Sequence, residues 1–135
     1  MIFLVILTQL PFLFLLLNQI VPKMPIYSAS FLGDSGNVVL SGRRPYFYMY
    51  DAVAGKVDLV PRIMGRSERS LEKHVASPDG ETIAFLGNDG YIILVDAHSK
   101  HWITDLKMNG SVRSLAFSPD GSQILSSGSD GDVYR

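Results

Sequence analysis

Two stretches of this sequence repeat each other: HVASPDGETIAFLGNDGYIILVD in the middle of the chain and SLAFSPDGSQILSSGSDGDVYR at its end. Asp79 and Asp120 are 41 residues apart, and so are Gly90 and Gly131. A fainter copy lies upstream, where Asp34 precedes Asp79 by 45 residues. Each copy alternates short apolar runs with turns rich in Gly, Asp and Pro. A period of about 40–45 residues with several short strands is typical of a β-propeller blade.

The repeat therefore predicts an all-β fold, a partial β-propeller with two blades and part of a third. We place the blades at about residues 25–65, 68–108 and 109–135, with the third cut short in its third strand. Propellers typically have about four to eight blades, and ring closure protects their strand edges. We therefore expect this chain to be a piece of a longer propeller.

Turn residues separate the predicted strands. The Ser-Pro-Asp-Gly sequences favour tight turns because proline fixes φ and glycine accepts positive φ. Asn-Asp-Gly and Ser-Asp-Gly are hairpin signals for the same reason. The residues that we predict to be structural turns are Asp79, Gly80, Asp89, Gly90, Asp120, Gly121, Asp130 and Gly131.

An apolar leader, residues 1–24, precedes the repeats, and its first 22 residues carry no charge. We expect it to be helical, and its length would suit a membrane span or a long signal peptide. No Lys or Arg precedes the apolar run, and Pro11 and Asn18 weaken a spanning helix. The alternative is that the leader is foreign to the domain behind it, an artefact of a misplaced start codon or of intronic sequence.

Motifs for catalysis or metal binding are not found in this sequence. It has no cysteine, and His74, His98 and His101 accompany no Gly-x-Ser-x-Gly nucleophile motif, so we expect surface or half-buried histidines. The Asp-Gly pairs do not continue into a calcium-binding loop, and no phosphate-binding Gly-Lys-Ser/Thr sequence follows a glycine-rich turn. We therefore predict no enzyme, no metal and no cofactor.

Basic residues cluster in two places, although the formal net charge of −1 provides no overall basic field. They form a candidate surface for a partner or for RNA phosphates: Arg43, Arg44, Arg62, Arg66, Arg69 and Lys73. The alternative is a solvated loop between blades, which the interspersed glutamates favour. Tyr46, Phe47, Tyr48 and Tyr50 alternate as in sheet packing, and Trp102 is expected to pack between blades.

Five sequences together, SGRR, YMYD, GRSERSLEK, FLGNDGY and LKMNGSVRSLAFS, resemble consecutive blades of the U3 small nucleolar RNA-associated protein 18 family. The resemblance extends from about Pro25 to Arg135 without large gaps. It implies a WD-repeat protein of the nucleus and nucleolus, a non-enzymatic scaffold of the small-subunit processome that acts in ribosomal RNA processing. It also implies docking with other WD-repeat subunits and an indirect association with U3 small nucleolar RNA and the ribosomal RNA precursor.

The sequence departs from the family pattern in three respects. Tyr50-Asp51 and Val95-Asp96 replace the Trp-Asp dipeptide at the end of the third strand of a blade. The family's propeller continues beyond the region matched here. The apolar leader does not resemble the family and conflicts with a nuclear destination, which favours a foreign leader. If the leader is genuine, the alternative is a secreted or membrane-anchored propeller that binds ligands.

Overall fold

A computed structural model describes residues 25–44, 46–60, 71, 73–87 and 90–135. In these ranges the chain forms three antiparallel sheets, two of four strands and one of three. No helix within them is long and apolar enough to span a bilayer. The apolar leader lies outside the described residues, and so do Arg62, Arg66, Arg69 and Asp89.

The first sheet has the order β1-β2-β3-β4, the second β5-β6-β7-β8 and the third β11-β10-β9. The strands of the first two sheets are β1 (Ile26–Phe31), β2 (Asn37–Gly42), β3 (Phe47–Asp51), β4 (Lys56–Val60), β5 (Lys73–Ala76), β6 (Thr82–Leu86), β7 (Tyr91–Asp96) and β8 (Trp102–Lys107). Those of the third are β9 (Val112–Phe117), β10 (Ile124–Gly128) and β11 (Val133–Tyr134).

The first strands of the three sheets lie side by side, because β1 contacts β5 and β5 contacts β9. Each sheet then extends outward by antiparallel pairing with the next strand along the chain. This arrangement of repeated sheets around the first strands confirms the predicted partial propeller of two blades and part of a third. The residue limits that we gave to the blades stay a prediction.

The main core lies between the first two sheets. Phe47 and Phe85 are fully buried with ring centroids 4.7 Å apart, and Val39, Ile83 and Ile93 are buried beside them. Each such side chain contributes about 1.5–3 kcal/mol when it leaves water. The alternation of β-branched and aromatic residues predicted in the sequence therefore supplies the contact between blades.

Both of the first two sheets are apolar on their two faces. On β3, Phe47 and Met49 face the second sheet, whereas Tyr48 and Tyr50 belong to a separate buried cluster. On the second sheet, Ala84, Leu86 and Ile92 form a buried cluster against which Leu115 and Phe117 of the third sheet pack. A sheet that is apolar on both faces is suited to a position between two others.

Trp102 does not pack between the blades as predicted. It lies on β8, the outermost strand of the second sheet, and 42% of its surface is exposed. The pairing of β7 with β8 shifts register between Leu94 and Val95. An edge strand is covered on fewer sides than an inner strand, so a large side chain there keeps contact with water.

Candidate functional site

The loops of the three sheets lie at two ends of the molecule, because successive antiparallel strands reverse direction. The turns β1–β2, β3–β4, β5–β6, β7–β8 and β9–β10 share one end. Each contains or adjoins an aspartate, so we call this end the acidic rim, defined by Asp34, Asp51, Asp79, Asp96 and Asp120. The opposite end, which we call the basic rim, carries Arg43, Arg44, Lys73 and Arg113.

The two Ser-Pro-Asp-Gly turns of the acidic rim have the same hydrogen bonds. Ser77 Oγ donates to Asp79 Oδ1 at 2.5 Å, and Ser118 Oγ donates to Asp120 Oδ1 at 2.6 Å. The backbone N–H two residues after each aspartate also donates to that oxygen, at 3.0 Å in both turns. These bonds stabilise the charged carboxylates, lowering the pKa of Asp79 and bringing that of Asp120 to about 2.

The glycine after each aspartate has positive φ, 76° at Gly80 and 74° at Gly121. Gly80 also meets the turn of the first sheet. A Cβ atom built on Gly33 would lie 3.3 Å from the Cα of Gly80. The sequence predicts the turn at Gly80, but this close approach of two neighbouring blades depends on the tertiary fold.

Asp51 and Asp96 stand where the family pattern has the aspartate of Trp-Asp, and both cap the next turn. Asp51 Oδ1 accepts the N–H groups of Val53 at 2.9 Å and Ala54 at 3.0 Å. Asp96 Oδ1 accepts those of His98 at 3.0 Å and Ser99 at 2.7 Å. The aspartate therefore keeps a local role in the turn although the tryptophan is absent. The dipeptide is visible in the sequence, but the capping of the following turn is seen only in the structure.

At the opposite end, Gly90 and Gly131 occupy equivalent positions in the second and third sheets, with φ of 80° and 84°. Asp130, before Gly131, accepts the hydroxyl of Tyr134 at 2.6 Å, which lowers the pKa of its carboxyl group. Gly90 O accepts the N–H of Met108 at 2.9 Å, which ties the turn after β6 to the connection after β8.

His74 is buried between the first two sheets, so the predicted surface or half-buried position is wrong for this residue. Its exposed fraction is 5%. Ring atom Nε2 is 2.8 Å from Ser30 Oγ, and Nδ1 is 2.7 Å from Ser41 Oγ. Burial lowers its pKa to about 4, because a charged imidazolium is poorly solvated there. Its partners are 44 and 33 residues away, and no local sequence signal identifies them.

His98 lies on the acidic rim and is exposed, as predicted for the histidines in general. Its Nε2 is 3.0 Å from Glu81 Oε2, and this contact raises the pKa of the imidazole. Both residues line a cavity of about 420 Å³ between the β1–β2 and β5–β6 turns, and Asp34 and Asp79 are among the other lining residues. The described residues include no group of three or more His, Cys, Asp or Glu placed to hold a metal ion.

The basic rim brings together three of the six basic residues predicted as a candidate surface. Arg43 and Arg44 are exposed in the bend after β2, and Lys73 is exposed at the start of β5. Leu71 N–H donates to Gly42 O at 3.0 Å, which places the chain before Lys73 beside the chain before Arg43. Lys73 Nζ in turn donates to the backbone oxygen of Arg113 at 3.2 Å. Arg113 was not among the predicted residues.

Comparison with protein families and curated relatives gives consistent results. Residues 94–134 match the family described as WD domain, G-beta repeat. The U3 small nucleolar RNA-associated protein 18 homolog of Arabidopsis thaliana is 54% identical over 110 residues, which are 82% of this chain and 20% of that protein. The Homo sapiens homolog is 33% identical over 113 residues, 83% of this chain and 20% of that protein. The chain thus spans about a fifth of the length of these relatives.

Two solved structures share the fold. One is described as the crystal structure of RRP9 WD40 repeats, with a TM-score of 0.69 and 17% identity, over 77% of this chain and 32% of that chain. The other is described as the structure of U3-55K, also with a TM-score of 0.69 and 17% identity, over 77% of this chain and 33% of that chain. At this identity, the likeness establishes the fold alone.

Proposed function

Because this chain belongs to the U3 small nucleolar RNA-associated protein 18 family over its aligned residues, we propose that it is a non-enzymatic scaffold in ribosome biogenesis. The observation that carries the proposal is the 54% identity to the Arabidopsis thaliana relative over 82% of the chain. We place it in the small-subunit processome of the nucleolus, where it acts in the processing of small-subunit ribosomal RNA by docking other proteins.

The described structure supports docking rather than chemistry as the mode of action. Four aspartates of the acidic rim accept backbone N–H groups of their own turns: Asp51, Asp79, Asp96 and Asp120. The most deeply buried histidine is engaged on both ring nitrogens by serine hydroxyls. A rigid sheet frame with loops at two rims is a common way of presenting binding residues. Other WD-repeat subunits are the partners that we propose for these loops.

The proposal is tested by expressing the full chain with a C-terminal fluorescent and affinity tag in eukaryotic cells. We expect nucleolar foci, and we expect U3 small nucleolar RNA to be enriched in the purified material when measured by quantitative reverse transcription. The matched control is Phe85→Asp, which places a carboxylate in the fully buried core between the first two sheets and should abolish both signals.

Staining of the endoplasmic reticulum or the cell surface, with no enrichment of U3 RNA, would overturn the proposal. It would favour the alternative of a secreted or membrane-anchored propeller with a genuine leader. A deletion of residues 1–24 further distinguishes the nucleolar scaffold from the secreted or membrane-anchored propeller. Nucleolar targeting by the repeats should persist in the deletion variant.

A further inference from the structure

The basic rim carries exposed cations on all three sheets, at the start of β5, near the start of β9 and in the bend after β2. We call this row of residues the basic arc. The bond from Leu71 N–H to Gly42 O, 3.0 Å long, joins the first two sheets at this rim. The bond from Lys73 Nζ to Arg113 O, 3.2 Å long, joins the second and third. The four side chains of the arc are exposed, and they belong to Arg43, Arg44, Lys73 and Arg113.

These cations differ from the charged groups of the acidic rim in how they are used. Four of the aspartates there accept backbone hydrogen bonds within their own turns and so stabilise the local backbone: Asp51, Asp79, Asp96 and Asp120. Among the described residues, Arg43 and Arg44 have no side-chain hydrogen bond or ion pair. Lys73 uses one donor on Arg113 O and has two more. The arc therefore holds unused donors that the fold itself does not need.

From this geometry we propose that the basic arc binds the sugar–phosphate backbone of single-stranded RNA. A guanidinium presents paired N–H donors that match phosphate oxygens, and cations in a row can follow a nucleic-acid strand. The choice of RNA over an acidic protein segment rests on the proposed function, in which the chain works in an RNA-containing particle. The proposal goes beyond that function, because docking through proteins alone requires no direct RNA contact.

Among the residues that the structure describes, two acidic residues lie in a turn at the same end but outside the arc. Asp130 and Asp132 belong to the turn between β10 and β11, further from the inner strands. Asp130 is occupied by the Tyr134 hydroxyl at 2.6 Å and by the backbone N–H of Asp132 at 3.2 Å. These carboxylates limit the basic surface on the side of the third sheet. We therefore expect the bound RNA to run along the ends of β1, β5 and β9.

The test measures RNA binding by the purified full chain fused to a soluble carrier, with the carrier alone as the blank. The probe is a fluorescein-labelled uridine oligomer, and its affinity is measured by anisotropy at several salt concentrations. Four phosphate contacts predict that log K falls with log salt at a slope of about −3, since each contact to a single strand contributes about −0.7. Arg113→Ala, Lys73→Ala and the pair Arg43→Ala with Arg44→Ala should each make the slope shallower.

The matched control is Lys56→Ala, which removes an exposed cation from the acidic rim. Because the net charge of the chain is −1, binding has to come from a local surface, and the control should leave affinity and slope unchanged. An equal loss in the control would overturn the arc as the site. Equally tight, arc-dependent binding of a labelled poly-aspartate would overturn RNA as the ligand and indicate an acidic protein partner.

Failure of this inference is distinguishable from failure of the proposed function. A chain that enters the nucleolus and enriches U3 RNA in cells, but does not bind the oligomer when purified, would remain a scaffold held by proteins. A chain that binds the oligomer through the arc but stays outside the nucleolus would keep the site and lose the proposed function.

Discussion

His74 joins the first two blades through side chains rather than backbone. A neutral imidazole has one N–H donor and one acceptor nitrogen, and a serine hydroxyl can serve either, so Ser30 and Ser41 satisfy both tautomers. The ring is also packed against Phe85, with centroids 5.7 Å apart. Two hydrogen bonds inside an apolar junction fix the relative position of the sheets more specifically than apolar contact alone.

The buried position of His74 makes stability depend on pH in a defined direction. Its pKa is about 4 in the folded chain against an ordinary 6.5, so between these values the unfolded chain binds a proton that the folded chain does not. The contribution of His74 to the free energy of unfolding is therefore fully present above pH 6.5 and is lost as the pH falls towards 4. Between pH 7 and pH 5 we expect a loss of about 2 kcal/mol in the free energy of unfolding.

The measurement is denaturant unfolding of the full chain and of His74→Gln at pH 7 and pH 5. Glutamine keeps a donor and an acceptor but does not titrate, so the variant should lose most of the pH dependence. His98, whose pKa is raised, is present in both proteins and cancels from the difference. The strands in contact with β5 are β1, β2, β6 and β9, and among their described residues the titratable or charged ones are Tyr27 and Arg113. Equal pH slopes in the two proteins would contradict the assignment.

At the scale of the residue, the local sequence predicts only part of the candidate site. The turns at Asp79 and Asp120 can be predicted from the sequence, because the Ser, Asp and Gly that form each turn lie within four residues. The hydrogen bonds of His74 cannot be predicted from the local sequence, since the two serines that bind it lie on strands of another blade. Arg113 was missed for the same reason, because its neighbour Lys73 is 40 residues away.

At the scale of the element, the turn after β6 is held against the connection after β8. A Cβ atom built on Gly90 would lie 2.0 Å from Gly110 O, and φ at Gly90 is 80°. The Asn-Asp-Gly sequence predicts the positive φ but contains nothing about Gly110. The equivalent Gly131 has φ of 84° and no atom within 4 Å of its built Cβ.

This pair of glycines separates backbone strain from packing. Gly131→Ala should cost about 1 kcal/mol of stability, because a side chain at positive φ is strained. Gly90→Ala adds a clash with backbone and should cost about 2–4 kcal/mol. Thermal or denaturant unfolding of both variants checks this. Equal destabilisation would show that the contact between the turn and the connection relaxes without cost.

At the scale of the whole molecule, the repeat in the sequence predicts the class of fold because a single blade cannot bury both of its faces. The first two sheets pack with Phe47 against Phe85, and the second packs with Leu86 towards Leu115 and Phe117. The face of the third sheet that points away from the second carries Leu125, which is 43% exposed, and Val133, which is 70% exposed. Which surface covers these side chains cannot be predicted from their own blade.

The exposed face and the two-residue strand β11 lead us to expect self-association of this chain. Leu125 and Val133 lie on one face, since Val133 pairs with Ser127, two residues beyond Leu125 on β10. An apolar face beside an open strand edge promotes pairing with another copy. Leu125→Lys and Val133→Lys should each lower the weight-average mass measured by sedimentation velocity, and most strongly together. Val53→Lys is the control, because Val53 is 79% exposed but lies in the turn after β3. A mass that changes only with Val53→Lys, or with none of the variants, would place association elsewhere in the chain.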